Sequence, residues 1–179
     1  MEKLEKSHSV DVRWRSFELR PKDAPPISPE YRARIEAARP RLYQTARESY
    51  GLEMNPGPFG FDSRPALTGA KFAEHSGHGP AYHAAVMRAY WQEGRDIEDR
   101  TVLAEVAVGV GLEREEFLEA LDEDTFQQAV LGDVALAQAY GLSGVPAIVF
   151  AEKYLVSGAQ PYDVLVQVTE QVQAETAEG

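Results

Sequence analysis

The sequence predicts an α/β fold, and three observations carry that expectation. Residues 10–19 alternate with the period of two that a strand requires, the long middle stretch repeats its apolar residues at helical spacing, and two short apolar runs lie close together near the C-terminus. The 179 residues fit one domain of ordinary size or a core with an insert. A hydrophobic fraction of 44% beside a charged fraction of 26% excludes a disordered or fibrous chain.

The elements follow in order. Residues 1–9 are polar around a single apolar Leu4 and read as the last turns of a helix or a frayed terminus. In 10–19, Val10, Val12, Trp14 and Ser16 fall on one face and Asp11, Arg13, Arg15 and Phe17 on the other, which predicts a strand. Pro21, Pro25, Pro26 and Pro29 make 20–29 a loop, because proline has no N–H to give a ladder and restricts the residue before it. Ser28-Pro29 then opens a helix carrying Tyr31, Ile35, Leu42, Tyr43, Ala46 and Tyr50, kinked or broken at Pro40 and stopped by Gly51. After a Gly/Pro/Asn loop, helices are predicted from Pro65 to Gly77, from Pro80 to Gly94, over Thr101–Val110 and Glu113–Leu121, and from Thr125 to Tyr140. Ala147-Ile148-Val149-Phe150 and Tyr154-Leu155-Val156-Ser157-Gly158 predict a hairpin turning at Glu152-Lys153, and Pro161 starts a last helix.

Charge and composition exclude several functions. Acidic residues outnumber basic ones by 29 to 18, for a net charge of −11, so a phosphate backbone or an anionic membrane is disfavoured as the main partner. The acidity is uneven: residues 1–50 carry a net +3 and residues 51–179 a net −14. With no cysteine the chain forms no disulfide, offers no thiolate and builds no Cys-ligated zinc site. The first residues lack the apolar run of a signal peptide and no segment is long enough to span a membrane, so a cytoplasmic protein is the default expectation.

Gly144-Val145-Pro146-Ala147-Ile148-Val149-Phe150 places a proline just before a buried strand and resembles the cis-proline loop of thioredoxin folds. Taken with Val12–Leu19, Tyr154–Pro161, Ala89–Ile97 and Val102-Leu103-Ala104, the chain resembles the DsbA family of the FrnE type, relatives of 2-hydroxychromene-2-carboxylate isomerases and kappa-class glutathione transferases. The resemblance covers nearly all of 10–172. It implies a thioredoxin-like core from 1–27 and 143–179 with an α-helical insert from 28 to 142, and a parent activity of thiol–disulfide oxidoreduction. It also implies a substrate site at Gly144, Val145, Pro146 and Phe17, where the exposed backbone of Val145 would pair with an extended peptide. The alternative for Pro146 is an ordinary strand-starting proline.

The chain departs from that family in its first part. Complete members begin with a strand leading into Cys-Pro-x-Cys, or Ser-Pro-x in the isomerase and transferase branch, at a helix N-terminus that lowers the thiol pKa. Here the first strand and the active-site start of that helix have no counterpart, and Ser7 and Ser9 lie past it. The expectation is a redox-incompetent chain with no catalytic residue, cofactor or metal. The alternatives are a non-catalytic peptide-binding or scaffold protein using the cis-proline loop, or a glutathione-dependent isomerase or transferase relative. Lacking a central strand, the sheet would close on itself, share strands in a swapped homodimer, or mark an N-terminally truncated reading; truncation, with association as its corollary, is expected.

Weaker signals have bland readings beside them. Glu74, His75, His78 and His83 could gather round a divalent metal, but Gly77, Gly79 and Pro80 interrupt the helix that would align them, which favours ordinary surface or capping histidines. The acids from Glu113 to Asp124 lack the order of a calcium loop and read as a solvated face. Arg13, Arg15 and Arg20 offer an anion site or, more plainly, solvent-facing charges. Tyr43, Tyr50, Tyr82, Tyr90 and Trp91 read equally as the lining of a groove or as core.

Overall fold

The computed structural model describes residues 1–20 and 24–178 and divides into two units, Met1–Leu19 with Asp133–Gly179, and Arg20–Gly132. Pro21, which falls in the loop expected over 20–29, lies outside the described residues.

The unit of 20–132 is helical, and its helices start where the sequence signals start. Helix α2 (Pro29–Tyr50) is capped by Ser28, whose Oγ accepts the Tyr31 N–H at 3.1 Å, and ends at Gly51 with a φ of 65°, a left-handed value that glycine adopts without a Cβ clash. It runs unbroken through Pro40, so of the two alternatives there one helix is found and not two short ones. Helices α3 (Arg64–His75), α4 (Gly79–Trp91), α5 (Arg100–Gly109) and α6 (Arg114–Ala120) follow; Asp99 caps α5 by accepting the Thr101 N–H at 2.7 Å. Their apolar faces meet in one core of Ala66, Ala73, Tyr82, Ala89, Leu103, Ala104, Ala107 and Phe117 with its neighbours. Close approach inside it needs glycine: a Cβ on Gly69 would stand 2.6 Å from both Phe117 Cζ and the Tyr82 hydroxyl. Tyr82 and Tyr90 are therefore core residues, while Trp91 and Tyr50 are exposed.

The other unit joins the two chain ends. Helix α1 (Glu2–His8) is too short to hold by itself and lies on α8 (Tyr162–Glu178). Leu4 is 1% exposed, Ser7 Oγ and Tyr162 Oη share a hydrogen bond of 2.7 Å, and the Gln173 amide donates to the His8 carbonyl at 2.8 Å. Helix α7 (Asp124–Ala139) enters this unit at Asp133.

The sheet is smaller than the sequence suggests. It consists of β1 (Ala147–Phe150) and β2 (Tyr154–Ser157), antiparallel, pairing Ala147 with Ser157 through Phe150 with Tyr154. The turn is centred on Ala151 and Glu152, with φ of 47° and 58°, and closed by the Lys153 N–H on the Phe150 carbonyl at 2.9 Å, one residue earlier than expected. Residues 10–19 form no strand. Val10 and Val12 are half-buried against exposed Asp11 and Arg13, as alternation implies, but a strand also needs a neighbour with which to exchange backbone bonds, and no ladder among the described residues includes this segment.

Candidate functional site

Helix α7 stops before the Gly144-Val145-Pro146 loop in a tight turn. Gly141 takes a φ of 68°, and the Leu142 N–H reaches back to the Ala137 carbonyl at 2.9 Å. Five residues after Leu142 the chain enters β1. The Val145–Pro146 peptide bond is cis, and the Pro146 carbonyl accepts the Gly158 N–H at 2.8 Å, extending the hairpin by one bond beyond the Ala147–Ser157 pair. Proline 146 is thus tied to β2 through its main chain. Val145, one residue further out, is 52% exposed and makes no backbone hydrogen bond among the described residues.

This arrangement presents an unpaired peptide unit at the mouth of a two-stranded sheet. Every β1 side chain is only half-buried, and each strand has one neighbour, so the outer edges of both β1 and β2 are open among the described residues. No ionisable side chain lies in 144–146 itself, and recognition there would run through main-chain groups and apolar contact.

Phe17 lies on the 9–19 segment, which the buried carboxylate of Asp133 anchors. Asp133 Oδ2 accepts the Ser16 N–H at 2.8 Å, and Oδ1 accepts from Arg15 Nη1 at 3.1 Å. This holds the residue before Phe17 against α7, the helix whose end leads to Gly144. Phe17 is half-buried, and no hydrogen bond or ring contact joins it to 144–146 among the described residues. Asp133 was not singled out from the sequence. A lone acid within a helix carries no sign of burial, because its partners lie more than a hundred positions away.

Hairpin and α8 are joined by charge. Lys153 Nζ and Tyr154 Oη both donate to Glu175, at 2.7 Å and 2.6 Å, and together with Gln171 they hold its carboxyl at about 2, well below the usual range, with Lys153 the largest cause. In the helical unit, His75 lies edge-on to Phe126 at 5.8 Å, and His78 Nδ1 contacts the Ser76 carbonyl at 2.7 Å. Burial lowers the pKa of His83 while Glu74 opposes the shift. No group of three or more metal-type ligands gathers among the described residues.

Comparison with known proteins agrees with this fold. A family model described as a DSBA-like thioredoxin domain matches residues 1–170. The uncharacterized protein YwbO of Bacillus subtilis is 30% identical over 171 residues, covering 89% of this chain and 80% of that protein. A probable DsbA oxidoreductase from Streptomyces coelicolor superposes with a TM-score of 0.77 at 29% identity, over 90% of this chain and 74% of that one. A 2-hydroxychromene-2-carboxylate isomerase superposes with a TM-score of 0.79 over 99% of this chain and 88% of that one, at 18% identity, a likeness of fold alone. With its open thioredoxin-type loop at 144–146 and a family match over almost its whole length, this chain belongs to the DsbA-like thioredoxin domain family, a thiol–disulfide oxidoreductase-like group.

Proposed function

We propose that this chain binds extended polypeptide at the Gly144-Val145-Pro146 loop, in a cytoplasmic setting, and performs no thiol–disulfide exchange by itself. The observation that carries the reading is the exposed Val145, whose main chain is unpaired among the described residues, beside a sheet with open edges. An extended peptide laid along it gains backbone hydrogen bonds without needing a side chain of particular type, which suits a binder of unfolded or partly folded substrates. Phe17 supplies a half-buried apolar surface in the same unit.

Exchange needs a thiolate to attack a disulfide and a second sulfur to resolve the mixed disulfide. The chain has no cysteine, so neither sulfur is its own. Ser7 offers no substitute for the isomerase-branch serine, because its hydroxyl donates to the Lys3 carbonyl at 2.8 Å and is also engaged by Tyr162 and His8.

The test is fluorescence anisotropy with a labelled, reduced and alkylated unfolded polypeptide. Val145→Pro removes the N–H and is expected to weaken binding roughly tenfold, the loss of about 1.4 kcal/mol, while Val145→Ala, which keeps the backbone, stays near wild type. Equal binding by all three proteins, each checked for its native circular dichroism, would refute the peptide site. Insulin reduction by the purified chain, without a thiol-bearing partner, would refute its redox silence.

A further inference from the structure

Helix α2 is unusual for a 22-residue element in that Ala46 alone is buried. Its Tyr31, Ala38 and Leu42 fall in one row at helical spacing, and all three are exposed. Arg34 and Arg41 border that row, and Arg34 lies over the Tyr31 ring at 4.9 Å. Arg32 and Arg39 both stand over Phe59. Arg47 is paired with Glu53, yet Arg32, Arg34, Arg39 and Arg41 reach no carboxylate among the described residues, in a chain with 29 acids.

The converse patch lies in the same unit. Over 113–124, Glu113, Glu115, Glu116, Glu119, Asp122, Glu123 and Asp124 are all exposed, and among the described residues Asp122 alone of these finds a cation, Arg100, at 2.7 Å. The fold leaves a basic, tyrosine-bearing helix face and an acidic helix-and-turn segment unmatched to each other within one molecule.

We propose that the chain self-associates by seating the α2 face of one copy on the 113–124 segment of a second. The occupant follows from charge complementarity: residues 51–179 carry a net −14 while α2 carries five arginines against three glutamates. If each copy gives its helix and receives the other's, the two contacts are related by a twofold axis and the assembly closes as a dimer. Tyr31 and Leu42 supply the desolvated centre and the arginines the rim; tyrosine and arginine are among the residue types enriched at such interfaces.

Sedimentation velocity with charge reversal tests this contact. Arg34→Glu with Arg41→Glu, and separately Glu115→Arg with Glu116→Arg, are each expected to weaken self-association at least roughly tenfold. Mixing the two variants restores opposite charge at both contacts and should recover a wild-type-like dimer, with the same total charge as the wild-type pair. The second variant is less negative overall, so its weakening cannot be ascribed to general repulsion. All four positions are exposed, and unchanged circular dichroism confirms folding. A wild-type chain that stays monomeric, a dimer indifferent to reversal as association through the open strand edges would be, or a mixture that fails to recover would each overturn the proposal.

Discussion

In the unit of 20–132, Tyr82, Leu103 and Phe117 are sealed among four helices, whereas in the unit of 1–19 and 133–179 every residue of β1 is only half-buried. Of the buried apolar residues among the described residues, Leu4 and Ala137 alone belong to the second unit. That unit holds itself together by other means: Asp133 on the 9–19 segment, Ser7 with Tyr162, Glu175 with Lys153 and Tyr154. The difference teaches that a helical bundle closes its core from local sequence, while a sheet leaves work for whatever adds to its edges.

The largest expected effect tests that contrast directly. Phe117→Ala should cost about 3–5 kcal/mol, since the ring is fully enclosed and its cavity is ringed by Gly69, Tyr82 and Phe72, which cannot collapse freely. Ile148→Ala, in the half-covered strand, should cost about 1 kcal/mol, the transfer of a partly exposed side chain with little cavity left behind. Urea unfolding with domain-resolved hydrogen exchange separates the two. Equal costs would mean that the hairpin is as well packed as the bundle and would break the comparison.

Next comes the anchor of the 9–19 segment. Asp133→Ala leaves the buried Ser16 N–H without its acceptor, an expected loss of about 1–3 kcal/mol. Asp133→Asn keeps one acceptor oxygen and should lose less. Hydrogen exchange at Ser16 reports the effect at its source; protection unchanged in the alanine variant would show that the segment is held some other way.

Which parts of this were legible in the sequence follows from the range of the interactions. Helix starts at Ser28 and Pro161, and the stop at Gly51, depend on neighbours within a few positions and are written where they act. The cis-proline motif could be read because Gly144-Val145-Pro146 precedes an unmistakable apolar run. The alternation of 10–19 is also written, and its burial partly follows it, but pairing depends on a neighbour that no local pattern supplies. The turn was placed one residue late because Ala151 and Glu152 take left-handed φ without the glycine or asparagine that signals it. The apolar period of α2 is written in the sequence, but that Tyr31 and Leu42 face outward is shown only by three-dimensional burial.

A smaller effect comes from inside the bundle. The Tyr82 hydroxyl is buried and has no hydrogen-bond partner among the described residues, and burial raises its pKa far above the ordinary phenol value. Tyr82→Phe removes a polar atom whose desolvation nothing offsets, so stability should rise by up to about 1 kcal/mol. Thermal unfolding measures it. A loss would mean that the hydroxyl has found a partner, and the unit would then be less purely apolar than its burial implies.

The smallest effect belongs to the charge-held unit and is a matter of pH. Glu175 is exposed, and its carboxyl is held at about 2 by Lys153 first, then Tyr154 and Gln171, against 4.5 when free of them. A depressed carboxyl contributes stability that is fully present above its unfolded value and is lost as pH falls through its folded one. The tie between the hairpin and α8 should therefore be intact above about pH 4.5 and fade as pH approaches 2, while the helical unit's own depressed carboxyls, Glu53 and Asp122, lie on its surface and Leu103 lies in its core. Carbon-detected titration of Glu175 is the direct check, together with amide exchange of Tyr154 across that window in the wild type and in Glu175→Gln. The glutamine variant should flatten the pH dependence at Tyr154 and leave the exchange of Leu103 unchanged. If the wild-type carboxyl titrates near 4.5, the Lys153 and Tyr154 contacts do not persist in solution, and the second unit relies on its anchor at Asp133 and on the α1–α8 contact instead.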